Sequence, residues 1–265
     1  MTRIASRFAQ LKTSNRAAFI PFVTAGDPDA ETTAAILAKL PGAGADLIEL
    51  GVPFSDPMAD GPAVQASSQR ALKSGMTLHK VLDLVRQFRK ADAATPIVLM
   101  GYYNPIHAYG TARFARDAGA ADVDGLITVD LPPEEDEVLR APAAAHGIDI
   151  VRLAAPTSDD ARLGTILNGA GGFLYYVSIA GVTGTKSFAQ DDVKAAVARV
   201  KARATLPCCV GFGIRTPEQA AGIARFADGA VVGSAIVTRL AETKSVENVV
   251  GFCRELAEAV HGARG

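Results

Sequence analysis

Eight short apolar runs alternate with stretches of helical periodicity from one end of the chain to the other, and this alternation constrains the fold more than any other feature. The runs are AAFIPFV from Ala17, ADLIELG from Ala45, PIVLMG from Pro96, DGLITVD from Asp124, GIDIVRL from Gly147, GFLYYVS from Gly172, LPCCVGFG from Leu206 and DGAVVGS from Asp228. Most are continuously apolar rather than alternating, as befits strands of a parallel sheet covered on both faces. Between them apolar residues recur at helical spacing, as in Thr33, Ile36, Leu37 and Leu40, in Leu78, Val81, Leu82 and Val85, and in Val193, Val197 and Val200. Eight strand-then-helix units in 265 residues match an α/β fold of the closed (β/α)8 TIM-barrel type. Ile4, Phe8 and Leu11 add an extra N-terminal helix. The rival is a doubly wound open sheet, whose dinucleotide form needs Gly-x-Gly-x-x-Gly after an early strand; the nearest string, GFGIRT from Gly211, comes late and ends on Thr216. No composition shift or Gly/Ser-rich linker divides the chain, so residues 1–265 read as one domain.

Composition narrows the function classes. With 49% apolar and 21% charged residues the chain lies far from disordered sequences. Its 27 basic and 28 acidic residues leave a net charge of −1, and hence no surplus to hold a nucleic-acid backbone or an anionic bilayer. From Leu163 to Thr185 no residue is charged, but Asn168 and the glycines of 169–172 interrupt the run, which reads as loop, strand, loop rather than a membrane span. The basic N-terminus is strung along the helical pattern of Ile4, Phe8 and Leu11, and Pro21 cuts the apolar run that follows, so no secretory leader is expected. Cys208, Cys209 and Cys253 are too few for a disulfide framework, and a reducing cytoplasm is the expected compartment. His79, His107, His146 and His261 stand far apart with no His-x-x-x-His pair, so no metal site is expected.

A barrel works at the C-terminal ends of its strands. Glu49 lies there inside ADLIELG, on the same side of its strand as Leu47 and Gly51, a candidate inward face. Apolar surroundings strip a carboxylate of water and raise its pKa toward the range useful for proton transfer; the plainer reading is an ion pair with a cation of a neighbouring strand. The following segment, PFSDPMADGP from Pro53, carries Asp56 and Asp60 over the same mouth on a loop with three prolines, although Asp and Pro also make ordinary turns. Two carboxylates in different settings, one sunk in a strand and one on a loop, are suited to different proton-transfer roles.

The later strands end in small residues: AGVTGTKS from Ala180, GFGIRT from Gly211, and Gly233-Ser234-Ala235. Glycines let backbone N–H groups approach a ligand, and a helix beginning near Ser234 aims its positive end inward, so these loops read as a phosphate site where barrels commonly have one. GVTGTKS is no P-loop, because Thr185 precedes Lys186 where glycine is required. None of the eight runs contains or ends in lysine, which weighs against imine chemistry. Cys208 and Cys209 read as core residues without a basic partner nearby in sequence. Phe22, Tyr102, Tyr103, Tyr175 and Phe212 lie at or near strand ends and are candidates to line a flat apolar pocket.

PFVTAGDP from Pro21, LIELGVPFSDPMADGP from Leu47, GVTGT from Gly181, GFGI from Gly211 and GSAIV from Gly233 together resemble the tryptophan synthase alpha chain family, in order and over nearly the whole chain. The resemblance implies a (β/α)8 barrel that cleaves indole-3-glycerol phosphate to indole and glyceraldehyde 3-phosphate without a metal or cofactor of its own. It also implies a partner beta chain that holds pyridoxal phosphate and receives the indole, in a complex of two alpha and two beta chains. By the same resemblance, Glu49 is the general acid/base and Asp60 the carboxylate facing the indole N–H. Tyr175 then stands beside the substrate, Phe22 and Phe212 are pocket walls, and Gly184, Gly213, Gly233 and Ser234 form the phosphate site. Thr183 is expected to engage Asp60 when a lid closes. Beta-chain contacts are expected on the loops after strands two, three and four, including Asn104 and Pro132.

Overall fold

A computed structural model describes residues 1–178, 190–211 and 213–264. Its strands are β1 (Ala18–Thr24), β2 (Ile48–Gly51), β3 (Ile97–Gly101), β4 (Gly125–Thr128), β5 (Asp149–Ile150), β6 (Arg152–Ala154), β7 (Leu174–Val177), β8 (Cys208–Gly211) and β9 (Gly229–Val232). All pair in parallel, in the order β5-β4-β3-β2-β1-β9-β8-β7-β6. The two outermost members, β5 and β6, are halves of the single run GIDIVRL on either side of Val151. Asp149 and Ile150 pair with β4, whereas Arg152 to Ala154 pair with β7. One stave thus serves two neighbours in turn, as the stagger of a closed barrel requires, and the eight predicted runs form a (β/α)8 barrel.

The helices are α1 (Arg3–Thr13), α2 (Ala30–Lys39), α3 (Pro62–Lys73), α4 (Leu78–Arg89), α5 (Tyr103–Tyr109), α6 (Thr111–Ala120), α7 (Glu137–Ala145), α8 (Asp160–Leu167), α9 (Gln190–Lys201), α10 (Pro217–Ala224), α11 (Ser234–Thr243) and α12 (Val246–His261). Short polar side chains start many of them: Asp29, Thr77, Asp159, Thr216 and Ser245 each accept a first-turn backbone N–H. The stretch from Leu163 differs from the loop expected there. Its first five residues finish α8, because Asp159 caps the helix and Leu163 and Ile166, three apart, are buried; glycine density lowers helix propensity, but only Gly164 lies within the helix and the other glycines of the stretch follow it. No helix among the described residues is long and apolar enough to cross a membrane.

Side chains separate into two apolar clusters. Ile48 and Leu50 of β2 face outward with the helix stripes, while Leu47 turns inward with Ile20, Val98, Ile127, Val151, Tyr175, Cys209 and Val231. The same inner cluster contains Ile4, Phe8 and Leu11 of α1, and the Phe8 and Phe173 rings stand 5.9 Å apart. The N-terminal helix therefore plugs the barrel at the end where the strands begin.

That end is also where the register is fixed. Asp46, Asp124 and Asp228, one or two residues before β2, β4 and β9, accept backbone N–H bonds from Phe19, Ile97 and Cys208 at 2.9, 2.8 and 2.9 Å. Each carboxylate thus staples the start of its strand to a neighbouring one. Since a slip of one residue reverses the side every side chain faces, these staples help decide which residues enter the barrel. We predict that Phe8→Ala, which empties the plug without touching the opposite rim, lowers the unfolding free energy by about 3 to 5 kcal/mol in urea titrations; a loss under about 1 kcal/mol would contradict the plug.

Candidate active site

The strand register sets several of the sequence candidates at one level. Glu49 of β2 is paired with Phe22 of β1 on one side and Val98 of β3 on the other. Pro21 is paired with Val232, so the next step brings Phe22 beside Gly233, and a Cβ on Gly233 would lie 3.4 Å from the Phe22 Cβ. Gly211, the last residue of β8, is paired with Val231, so Gly213 lies just beyond the same end of the sheet as Gly233. Glu49, Phe22, Gly233 and Gly213 therefore occupy the same rim, at the C-terminal ends of β2, β1, β9 and β8.

Glu49 is only 2% exposed, and its Oε1 has no hydrogen-bond partner among the described residues. Nor does any of their ion pairs include it. Loss of hydration, with a smaller push from the charge of Asp60, raises its carboxyl to about 8. Tyr175, also buried on the inner face, has its phenol pushed well above the ordinary value, first by burial and then by Glu49 and Cys209. The structural alternative, a cation from a neighbouring strand, is not found among the described residues.

Asp60 is held differently. Tyr102 donates its hydroxyl to Asp60 Oδ2 at 3.1 Å and accepts the Ala59 N–H at 2.9 Å, while Gln65 Nε2 donates to the Asp60 carbonyl at 2.8 Å. Partial burial raises the Asp60 carboxyl, and the Tyr102 hydrogen bond works against that rise. Burial is also the main reason the Tyr102 phenol moves up to about 12, which leaves it protonated and able to donate. Phe22, Gly51, Asp60, Met100, Tyr102 and Val129 line a cleft here, apolar walls with a carboxylate at the edge. Asp56 is exposed and accepts from the neighbouring Ser55 hydroxyl, the behaviour of a turn residue.

On the opposite side Gly213 has a φ of 78°, a left-handed backbone open to glycine, and Ser234 is the first residue of α11. The free N–H groups at a helix N-terminus are suited to an anion. The expected contacts of Thr183, Gly184 and Phe212 lie outside the described residues. Cys208 and Cys209 are fully buried and their thiols are pushed up by burial, Cys208 to about 12, so they are inert core. No group of three or more His, Cys, Asp or Glu among the described residues converges as a metal site.

Two glycines, Gly51 of the expected inward face and Gly211 of the expected phosphate loop, have a further role that only the register reveals, giving room to aromatic side chains of the neighbouring strands. A Cβ on Gly51 would sit 2.5 Å from the Phe22 ring, and one on Gly211 would sit 2.0 Å from the Tyr175 hydroxyl. Both runs end in glycine beside a strand with an inward aromatic; that was the available signal, and it needed the register to be read. The role of Tyr102 toward Asp60 was likewise not foreseen beyond its place among the aromatic candidates.

Residues 8–261 match the family model described as tryptophan synthase alpha chain. The chain belongs to the tryptophan synthase alpha chain family. Similar solved structures agree. The tryptophan synthase subunit alpha from Legionella pneumophila str. Paris is 41% identical with a TM-score of 0.92, covering 98% of both chains. The alpha chain from Legionella pneumophila subsp. pneumophila is 40% identical with a TM-score of 0.90, covering 98% of this chain and 97% of the other. A Mycobacterium tuberculosis tryptophan synthase structure is 38% identical with a TM-score of 0.90, covering 98% of both chains. The family's alpha chain is a lyase that cleaves indole-3-glycerol phosphate, and this chain is a member of that class.

The buried carboxyl makes a prediction independent of activity. The folded chain keeps the Glu49 proton up to about pH 8, whereas the unfolded chain releases it near the ordinary 4.5. Between those values the native state holds more protons, so stability contributed by this group is lost as pH rises through the window. Glu49→Gln cannot titrate and should lack this decline. Urea midpoints at about pH 5 and about pH 8 should draw closer together in the variant; an unchanged difference would show that Glu49 is not the buried neutral acid described here.

Proposed function

We propose that Glu49 and Asp60 carry the cleavage of indole-3-glycerol phosphate between them, with Glu49 as proton donor and acceptor and Asp60 as the partner of the indole nitrogen. The observation that carries this reading is the buried Glu49 carboxyl, which has no ion pair among the described residues, at the level of Phe22 and Gly233. At neutral pH a carboxyl with a pKa of about 8 starts protonated. Its proton passes to indole C3, and the ring nitrogen becomes a cationic indoleninium, which an ionised Asp60 stabilises across the cleft. The Glu49 carboxylate then takes the proton of the hydroxyl on the adjacent carbon. That O–H pair forms the aldehyde C=O as the carbon–carbon pair returns to the ring and neutralises the nitrogen. Indole and glyceraldehyde 3-phosphate leave, and Glu49 is again protonated.

The remaining roles are those the family resemblance implies. Phe22 and Phe212 wall the aromatic pocket, Tyr175 stands beside the substrate, and Gly184, Gly213, Gly233 and Ser234 hold the phosphate, with the α11 N–H groups favouring its charge. Thr183 engages Asp60 on closure. The reaction as written is two proton transfers and a bond cleavage and needs no cofactor in this chain. The chain works as one domain in the cytoplasm, paired with a tryptophan synthase beta chain that carries pyridoxal phosphate, in an assembly of two alpha and two beta chains. Asn104 on α5 and Pro132 after β4 are exposed on the rim that carries the cleft, and they meet that partner.

Because the chain has no Trp, indole release can be followed by fluorescence. Glu49→Gln is expected to lose roughly 10²- to 10⁴-fold in turnover while still binding inorganic phosphate; near-normal turnover would dismiss Glu49 as the acid/base. In the parent the cleavage rate should fall as pH rises through about 8, the value at which Glu49 gives up its proton; a rate that stays level well above it would contradict the proposed first step. Tyr102→Phe removes the bond that lowers the Asp60 carboxyl, so Asp60 protonates at higher pH and the acid side of the rate profile moves upward. No movement would separate Tyr102 from the ionisation of Asp60.

A further inference from the structure

The helix that follows the Asp60 loop is tied to the end of β1 by three polar contacts along one stripe. Ser67, Arg70 and Ser74, at spacings of three and four, lie on one side of α3 and at its C-terminal cap. The Ser67 hydroxyl is 2.6 Å from that of Thr24, and both residues are buried. Arg70 grips Asp27 with two parallel bonds, Nε to Oδ1 at 2.6 Å and Nη2 to Oδ2 at 2.8 Å. Ser74 Oγ donates to the Gly26 carbonyl at 3.1 Å. Asp27 is 1% exposed, so its charge depends on the guanidinium for compensation.

The two ends of this clamp bear the two walls of the cleft. β1 carries Phe22, whereas α3 begins at Pro62, two residues beyond Asp60, and Gln65 of its first turns holds the Asp60 carbonyl. Thr24 and Ser68 themselves line the cleft. We infer that Asp27 and Arg70 are positioning residues for the lyase reaction: by fixing α3 against the end of β1 they set where the Asp60 carboxylate stands relative to Phe22 and Glu49. The forked geometry matters, since a guanidinium gripping a carboxylate through two bonds fixes orientation as well as distance. This inference rests on the role of Asp60 proposed above.

A cycle of variants on the full chain, read by indole release and by inorganic phosphate binding, tests it. Arg70→Met should lower kcat roughly 10- to 100-fold, the cost of a displaced reacting group, while phosphate affinity changes less than about twofold. Arg70→Lys keeps the charge but loses the fork, and should fall between Arg70→Met and the parent. In an Asp60→Asn background the Arg70→Met change should cost less than about threefold, because a residue acting through Asp60 has little left to disturb. If Arg70→Met does not fold, Arg70→Lys carries the same comparison. Losses that multiply in the double variant, or an Arg70→Met kcat within about twofold of the parent, would overturn the positioning role while leaving Asp60 in place. Parent-like turnover of Asp60→Asn would instead overturn the proposed role of Asp60, and the clamp's role with it.

Discussion

A carboxyl buried with no cation beside it among the described residues is the constraint around which the molecule is arranged. Leaving Glu49 hydrated, or pairing it with an arginine, would cost less free energy, and the inner barrel face elsewhere is lined with Ile20, Val98, Ile127 and Val231. It stays where it is because β2 cannot turn it out without exposing Leu47 and driving Ile48 and Leu50 inward, away from the helix stripes they pack against. Register is thus the source of the acid's chemistry. The carboxylates of Asp46, Asp124 and Asp228, bound to backbone N–H groups at the far end, work toward the same result. Stability is concentrated where the strands begin, beneath the α1 plug, and the strand ends opposite are left to glycines, a half-buried aspartate and a glutamate with no ion pair among the described residues.

The aromatic side chains on the rim of that glutamate are seated by absent side chains. Gly51 leaves room for the Phe22 ring and Gly211 for the Tyr175 hydroxyl, each at a distance no Cβ would tolerate. An aromatic residue on one stave therefore depends on a glycine of the next, and the pair is a property of the sheet rather than of either strand. This explains how an interior filled with side chains can open into a flat cleft at one rim.

The fold was legible because its determinant is periodic and local: eight apolar runs of strand length, separated by helical stripes, admit few closed arrangements. Glu49 was legible because a charged residue inside ADLIELG breaks an apolar run, and Asp60 because its proline-rich loop must follow that strand. What could not be read were contacts between residues distant in sequence. Arg70 and Asp27 are 43 positions apart and each resembles an ordinary surface charge until β1 and α3 are docked. Asp46, Asp124 and Asp228 stand at or near the start of three of the apolar runs, and their backbone acceptor role exists only once neighbours are in register. The missed end of α8 has a different cause, since glycines just beyond a short helix blurred its periodicity over 163–167.

The two carboxylates are also coupled, and the coupling has a useful direction. The charge of Asp60 raises the affinity of Glu49 for its proton. In the proposed mechanism, protonation of C3 puts a positive charge on the indole nitrogen beside Asp60 and cancels much of that influence, so Glu49 releases its proton more readily at the moment it must. When the carbon–carbon bond breaks and the ring becomes neutral, the field of Asp60 returns and Glu49 regains proton affinity as the hydroxyl proton becomes available. Two acids with fixed, independent pKa values would have to compromise between giving and taking. In the proposed mechanism the charge on the substrate switches the balance, and this requires Asp60 to be held close enough to Glu49 to be felt, yet on a separate element with its own hydrogen-bond donor, Tyr102.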